Sequence, residues 1–221
     1  MPNYHPEYSG SNSFNFFILN LPDKPLKIGI TGGIGTGKSI VCKIFELLGI
    51  PIYDADARAK WLLTHDEELI KQVKQHFGEN VYLSANDNQL DKKFLSDRIF
   101  KNPNQLDLLN SLVHPKVMDD HEKWQKSNIH HPYIIKEAAL LYESGSYKYL
   151  DKIITVYAPV PLRIERILKR DPHRTESDIK AIMAAQISDE EKVKKADYVI
   201  YNDDKRMVIP QVLKIHKSII K

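Results

Sequence analysis

Apolar positions along the chain follow two periods. Compact runs at residues 26–31, 50–53, 133–137, 152–157 and 198–201 are short, rich in Ile, Val and Tyr, and bounded by turn residues, which predicts buried strands. Between them the spacing changes to three and four. Val41, Ile44, Phe45 and Leu48 recur at i, i+3, i+4 and i+7, predicting a helix over 40–48 that Gly49 can end. Further helical periods cover 59–63, 67–77, 91–100 and 105–126, with a turn cluster at 83–88 and no sheet strand from 57 to 131. Leu162, Ile164, Ile167 and Leu168 mark another helix, which residues 171–174 break; a helix follows at 177–187, and an amphipathic one at 207–220. Strands alternating with helices indicate an α/β fold with a parallel sheet covered on both faces. The excursion at 57–131 is far longer than a crossover needs, so it reads as a helical insert holding an acceptor substrate.

Composition narrows the picture. Hydrophobic content of 42% and charged content of 28% suit a soluble globular chain of 221 residues with a substantial core. The net charge of +3 and pI near 8.7 are compatible with a polyanionic ligand. Positive charge is nevertheless mixed with negative along the chain, so no nucleic-acid stripe is expected, and Lys192, Lys194 and Lys195 read as a solvated helix face. The single cysteine, Cys42, falls on a helix, where apolar packing in a reducing cytoplasm is expected. No run is long enough to span a bilayer, and the apolar patch at 14–21 has no basic region before it. Residues 1–25, rich in Asn, Ser, Pro and Tyr, read as a poorly ordered extension.

One stretch carries chemistry on its face. Gly32-Gly33-Ile34-Gly35-Thr36-Gly37-Lys38-Ser39 fits G-x-x-x-x-G-K-[ST] between a strand and a helix. Its four glycines let successive N–H groups point into one concavity that cradles phosphates. Lys38 can then reach the β- and γ-phosphates, and Ser39 can ligate Mg²⁺. Asp54 and Asp56 stand at the C-terminal end of the second strand, where ligands bind an open parallel sheet. Each can be a catalytic carboxylate, and each can instead cap the helix expected from Ala57. Arg163, Arg166 and Arg170 share a helical face that can neutralise a transferring phosphoryl group, or can be solvated with Glu165 as ion-pair partner. Glu137 ends the third strand and can contact Mg²⁺ through water. His114-Pro115 lies in the insert and can touch an anionic substrate. Adjacent His130 and His131 face differently, so no transition-metal site is expected.

Thr31 to Ser39, Asp54-Ala55-Asp56, His114-Pro115, Leu140-Leu141 with Glu143, Arg166 and Arg170, Ala185-Gln186, Ala196-Asp197, Val199-Ile200 and Asn202 stand in an order that resembles the dephospho-CoA kinase family. The resemblance spans about residues 26–220. It implies a P-loop kinase-like five-stranded parallel sheet flanked by helices, with a nucleotide-binding core at 26–56, 132–159 and 191–221, the insert at 57–131 and a mobile lid at 160–190. The implied reaction moves the γ-phosphate of ATP to the 3′-hydroxyl of the ribose of dephospho-CoA, the last step to coenzyme A. Asp56 is then the general base, with Lys38 and Arg166 also catalytic. Gly33, Ile34, Gly35, Thr36, Gly37, Lys38, Ser39, Arg170 and Asn202 are implied to hold ATP, with Mg²⁺ at Ser39. Thr31, Asp54, Asp56, His114, Leu140 and Glu143 are implied to hold the acceptor. No nucleic acid or membrane partner is expected, and the chain is expected to be a monomer or weak oligomer. Departures are Ile40, Ala139, Tyr201 and Arg163, standing where the family usually has threonine, proline, aspartate and glutamine.

Two other functions fit the residues less well. A nucleoside monophosphate kinase would grip its acceptor's phosphate with arginines, but 57–131 contains only Arg58 and Arg98. A non-catalytic guanine-nucleotide switch would carry Asn-Lys-x-Asp, which this chain lacks.

Overall fold

A computed structural model describes residues 24–83, 88–100 and 102–221. The expected N-terminal extension, save Lys24 and Pro25, and the turn at 84–87 lie outside the described residues.

Five strands pair in parallel in the order β2-β3-β1-β4-β5. They are β1 (Leu26–Thr31), β2 (Ile52–Asp54), β3 (Tyr133–Glu137), β4 (Lys152–Tyr157) and β5 (Tyr198–Tyr201). In the central strands, Ile28, Ile30, Tyr133, Ile135, Ile154 and Val156 are buried, as a sheet covered on both faces requires. Parallel neighbours need crossovers, and helices supply them. On one face α1 (Lys38–Leu47) buries Val41, Cys42 and Phe45, while α9 (Val208–Ile219) buries Val212 and Ile215 in the same cluster.

Between β2 and β3 run α2 (Ala55–His65), α3 (Glu67–Phe77), α4 (Lys92–Phe100) and α5 (Pro103–Ser127). They have a core of their own, in which Leu62, Leu69, Val73, Phe77, Leu95, Leu109 and Val113 pack together. Three polar groups tie this bundle to the sheet. Tyr53 in β2 donates its hydroxyl to Asp120 at 2.7 Å, and the Arg58 Nε donates to the same carboxylate at 2.8 Å. The first residues of α2 are thereby held against α5.

After β4 come α6 (Val160–Arg170), α7 (Glu176–Ala184) and α8 (Asp189–Lys195). Here the structure corrects one expectation: Lys192 is not on a solvated face but fully buried. Packing of α8 on β4 turns it inward, with the Thr155 hydroxyl donating to the Lys192 carbonyl at 3.2 Å. No helix among the described residues is long and apolar enough to cross a membrane.

Candidate active site

The register sets the site. Asp54 of β2 lies beside Glu137 of β3, which lies beside Ile30 of β1, so Thr31, Asp54 and Glu137 share the C-terminal edge of the sheet. The glycine loop leaves β1 at that edge and runs straight into α1. Gly37 precedes α1 with φ of 90°, no side chain caps the helix, and no acidic residue stands in its first turn. By contrast, α2, α3, α5, α7 and α8 are closed by Asp54, Asp66, Asn102, Thr175 and Ser188. The free N–H groups and positive dipole end of α1 are thus available to an anion. Lys38 folds back over the loop and donates to the Gly32 carbonyl at 3.1 Å.

The two aspartates separate. Asp54 accepts from the Ala57 N–H at 2.8 Å and caps α2, which begins at Ala55 rather than Ala57 because the cap is Asp54 itself. Asp56 therefore sits within the first turn, exposed, and accepts from the Ala139 N–H at 3.1 Å through one oxygen. Behind them Glu137 is nearly buried, and desolvation pushes its carboxyl above the usual range against the pull of the Cys42 thiol and Lys38. Cys42, as expected, packs in the core, and burial pushes its thiol up.

The arginine face divides along its length. Arg163 is 2% exposed; its Nε donates to the Ile34 carbonyl at 2.7 Å and its guanidinium pairs with Asp189. Arg166 donates to the Asn202 carbonyl at 3.1 Å and to Asp204 at 2.6 Å. Arg170 is exposed and paired with Asp171 at 2.8 Å. Asp189, Asp204 and Asp171 take the place of Glu165 as partners.

Several residues implied to touch a ligand have partners within the protein. Thr31 is fully buried and donates to the Ala139 carbonyl at 3.4 Å, which braces the edge. Asn202 donates to the Thr36 carbonyl at 2.8 Å, which makes it a brace of the loop. Glu143 accepts from the Ile187 N–H at 2.9 Å, Leu140 is exposed beside it, and His114 is exposed on α5 apart from these bonds. Gly33, Ile34, Gly35, Thr36, Gly37, Lys38, Ser39, Asp54 and Asp56 are brought to one edge. Arg163, Asp189, Lys192 and the Tyr53–Arg58–Asp120 group were not legible as site supports, because their partners are far away in the chain.

A family model described as dephospho-CoA kinase matches residues 26–207, which include every strand and the whole edge just described. The chain belongs to the dephospho-CoA kinase family. A dephospho-CoA kinase of Bacteroides fragilis is 36% identical over 190 residues, covering 86% of this chain and 91% of that protein. One of Chlorobaculum tepidum is 38% identical over 183 residues, covering 81% and 87%. Among solved structures, TT1252 from Thermus thermophilus superposes with a TM-score of 0.77 at 30% identity, covering 88% of this chain and 97% of that one. Dephospho-CoA kinase from Campylobacter jejuni gives 0.65 at 29% identity, covering 87% and 96%. The chain is a kinase of this family, which catalyses the final step of coenzyme A biosynthesis on a small-molecule substrate.

Proposed function

We propose that the chain transfers the γ-phosphoryl group of ATP to the 3′-hydroxyl of the ribose of dephospho-CoA, with Asp56 as the general base. The observation that carries this reading is the shared edge: an uncapped helix N-terminus with a glycine loop, and beside it an exposed carboxylate fixed by the Ala139 N–H at 3.1 Å. The loop N–H groups and Lys38 hold the donor's phosphates. Asp56 takes the proton of the acceptor hydroxyl through its free oxygen. As the new O–P bond forms, the bond from the γ-phosphorus to the β-phosphate oxygen breaks and ADP leaves.

The residues fit Mg²⁺. Ser39 lies at the second position of α1 with its side chain exposed, and Lys38, Asp54 and Asp56 are all near enough to Glu137 to act on its charge. Ser39 would hold the dication, and the nearby carboxylates would attract it without stripping its waters, which suits Mg²⁺. When bound, it neutralises charge on the β- and γ-phosphates.

Helices α2 to α5 are the acceptor side in this reading, since α2 carries Asp56 and is capped by Asp54, and the four helices have their own core to hold a bulky ligand. Residues 160–190 are the lid, with Arg166 and Arg170 released from Asp204 and Asp171 towards phosphate on closure. An ADP-coupled assay with ATP, Mg²⁺ and dephospho-CoA tests the proposal. Turnover with dephospho-CoA and none with nucleoside monophosphates is expected; the reverse would overturn it.

A further inference from the structure

Arg163 stands where the resemblance expects glutamine, and it is the largest fully buried side chain described. A guanidinium cannot lose its charge inside a protein, so burial requires a partner that nearly compensates it. Asp189 at the start of α8 is that partner. The remaining donors are aimed at the loop: Nε bonds the Ile34 carbonyl at 2.7 Å, and Nη2 lies 2.2 Å from where a Cβ on Gly33 would stand. Gly35 is pressed from the same side, since a Cβ there would lie 2.9 Å from the Arg163 carbonyl.

This contact orients the loop. In a trans peptide the C=O and the following N–H point in opposite directions. Fixing the Ile34 carbonyl on Arg163 turns the Gly35 N–H away from α6. From these contacts we infer that the Arg163–Asp189 pair is a positioning device for the donor site, holding the Ile34–Gly35 peptide in the orientation that presents its N–H to phosphate. Arg163 does this from beneath the loop and does not touch the transferring group. The ion pair has a separate consequence for stability. Arg163 is almost sealed from water, whereas the Asp189 side chain is 20% exposed, so losing Asp189 strands the costlier charge.

The inference rests on the loop being the ATP site, and it is tested by ATP binding, which needs no acceptor. Arg163→Met, Asp189→Asn and the double variant are compared with the intact chain by thermal unfolding and by calorimetric titration with ATP and Mg²⁺. Asp189→Asn should lower Tm more than Arg163→Met, and the double variant should recover Tm relative to Asp189→Asn. Both variants with Arg163→Met should bind ATP about tenfold more weakly, with the double variant showing no recovery of affinity, because methionine has no N–H to give the Ile34 carbonyl. A KM for dephospho-CoA within twofold of the intact chain should accompany this. A merely structural pair would regain ATP affinity together with Tm. That result, or an unchanged ATP Kd in a folded Arg163→Met variant, overturns the inference. If the intact chain binds ATP but does not turn over dephospho-CoA, the proposed reaction fails while this inference is still decided by the ATP titrations.

Discussion

Asp56→Asn separates the role of a base from the role of a strut. The bond from the Ala139 N–H reaches one carboxylate oxygen at 3.1 Å, and an asparagine amide oxygen can accept the same bond. What the substitution removes is the second oxygen's ability to take a proton, together with a negative charge in the first turn of α2. The charge is worth about 0.3–1 kcal/mol to the helix. Against a typical stability of about 5–15 kcal/mol, that leaves the chain folded. A general base contributes about 10²- to 10⁴-fold, or about 3–5 kcal/mol of barrier. The expected outcome is a fall in kcat of at least about a hundredfold, with Tm lowered by only a few degrees and the Kd for ATP little changed. Steady-state ADP release, thermal unfolding and ATP titration on one preparation read all three. Normal turnover by Asp56→Asn would refute the assignment. If Asp54→Asn were dead in the same assay while Asp56→Asn turned over, the two carboxylates would have exchanged roles. The geometry argues against that exchange, because asparagine caps a helix about as well as aspartate and Asp54 already accepts from Ala57.

Lys38→Ala should abolish measurable turnover and weaken ATP binding, since the β/γ charge loses its fixed cation; unchanged activity would remove the phosphate loop from the mechanism. His121, packed against Tyr53 and Trp124, is held near pKa 4 by burial, with Lys136 and Lys27 adding repulsion. The unfolded chain therefore takes up this proton near pH 6.5 and the folded chain only near 4, so stability falls as pH drops through that window, by about 3 kcal/mol as a ceiling. Urea titrations from pH 7 to 4 should show a shallower loss in His121→Gln, and parallel slopes would refute it. Protease cleavage within 160–190 should slow when ATP and acceptor are both bound, and equal cleavage in every state would mark an ordinary surface segment.

How much of this was legible depended on the reach of each signal. The boundaries of β1, β3, β4 and β5 coincide with the apolar runs, because strands buried on both faces leave continuous apolar segments. The start of α2 lies two residues before the expected one because Asp54 and Asp56, two positions apart, offer two caps, and only packing chooses between them. Spacing correctly put Arg163, Arg166 and Arg170 on one helix face. It could not show that the face turns from core at Arg163 to solvent at Arg170, since Ile34, Asp189 and Asp204 are distant in the chain. Lys192 failed for the same reason: beside Lys194 and Lys195 it looks like solvated charge. Its Nζ nevertheless ends 3.5 Å from Gln186 and 3.7 Å from Glu143, and burial pushes its pKa down.

The glycines of the phosphate loop show how two demands meet at one residue. The usual reason for them is close approach of phosphate, and the fold adds a second. A Cβ at Gly33 would fall 2.2 Å from Arg163, and one at Gly37 would fall 2.3 Å from the Asn202 amide nitrogen. Gly37 also has a φ of 90°, which L side chains rarely adopt. Arg163 draws on the Ile34 carbonyl and Asn202 draws on the Thr36 carbonyl, from α6 on one side and the end of β5 on the other. Both peptides are thereby turned with their carbonyls to the protein and the N–H groups of Gly35 and Gly37 away from those donors. An anion site built of backbone N–H groups works only if the carbonyls are engaged elsewhere, and these two side chains engage them. The loop is therefore set by the fold before a nucleotide arrives, and binding need not supply the cost of ordering it.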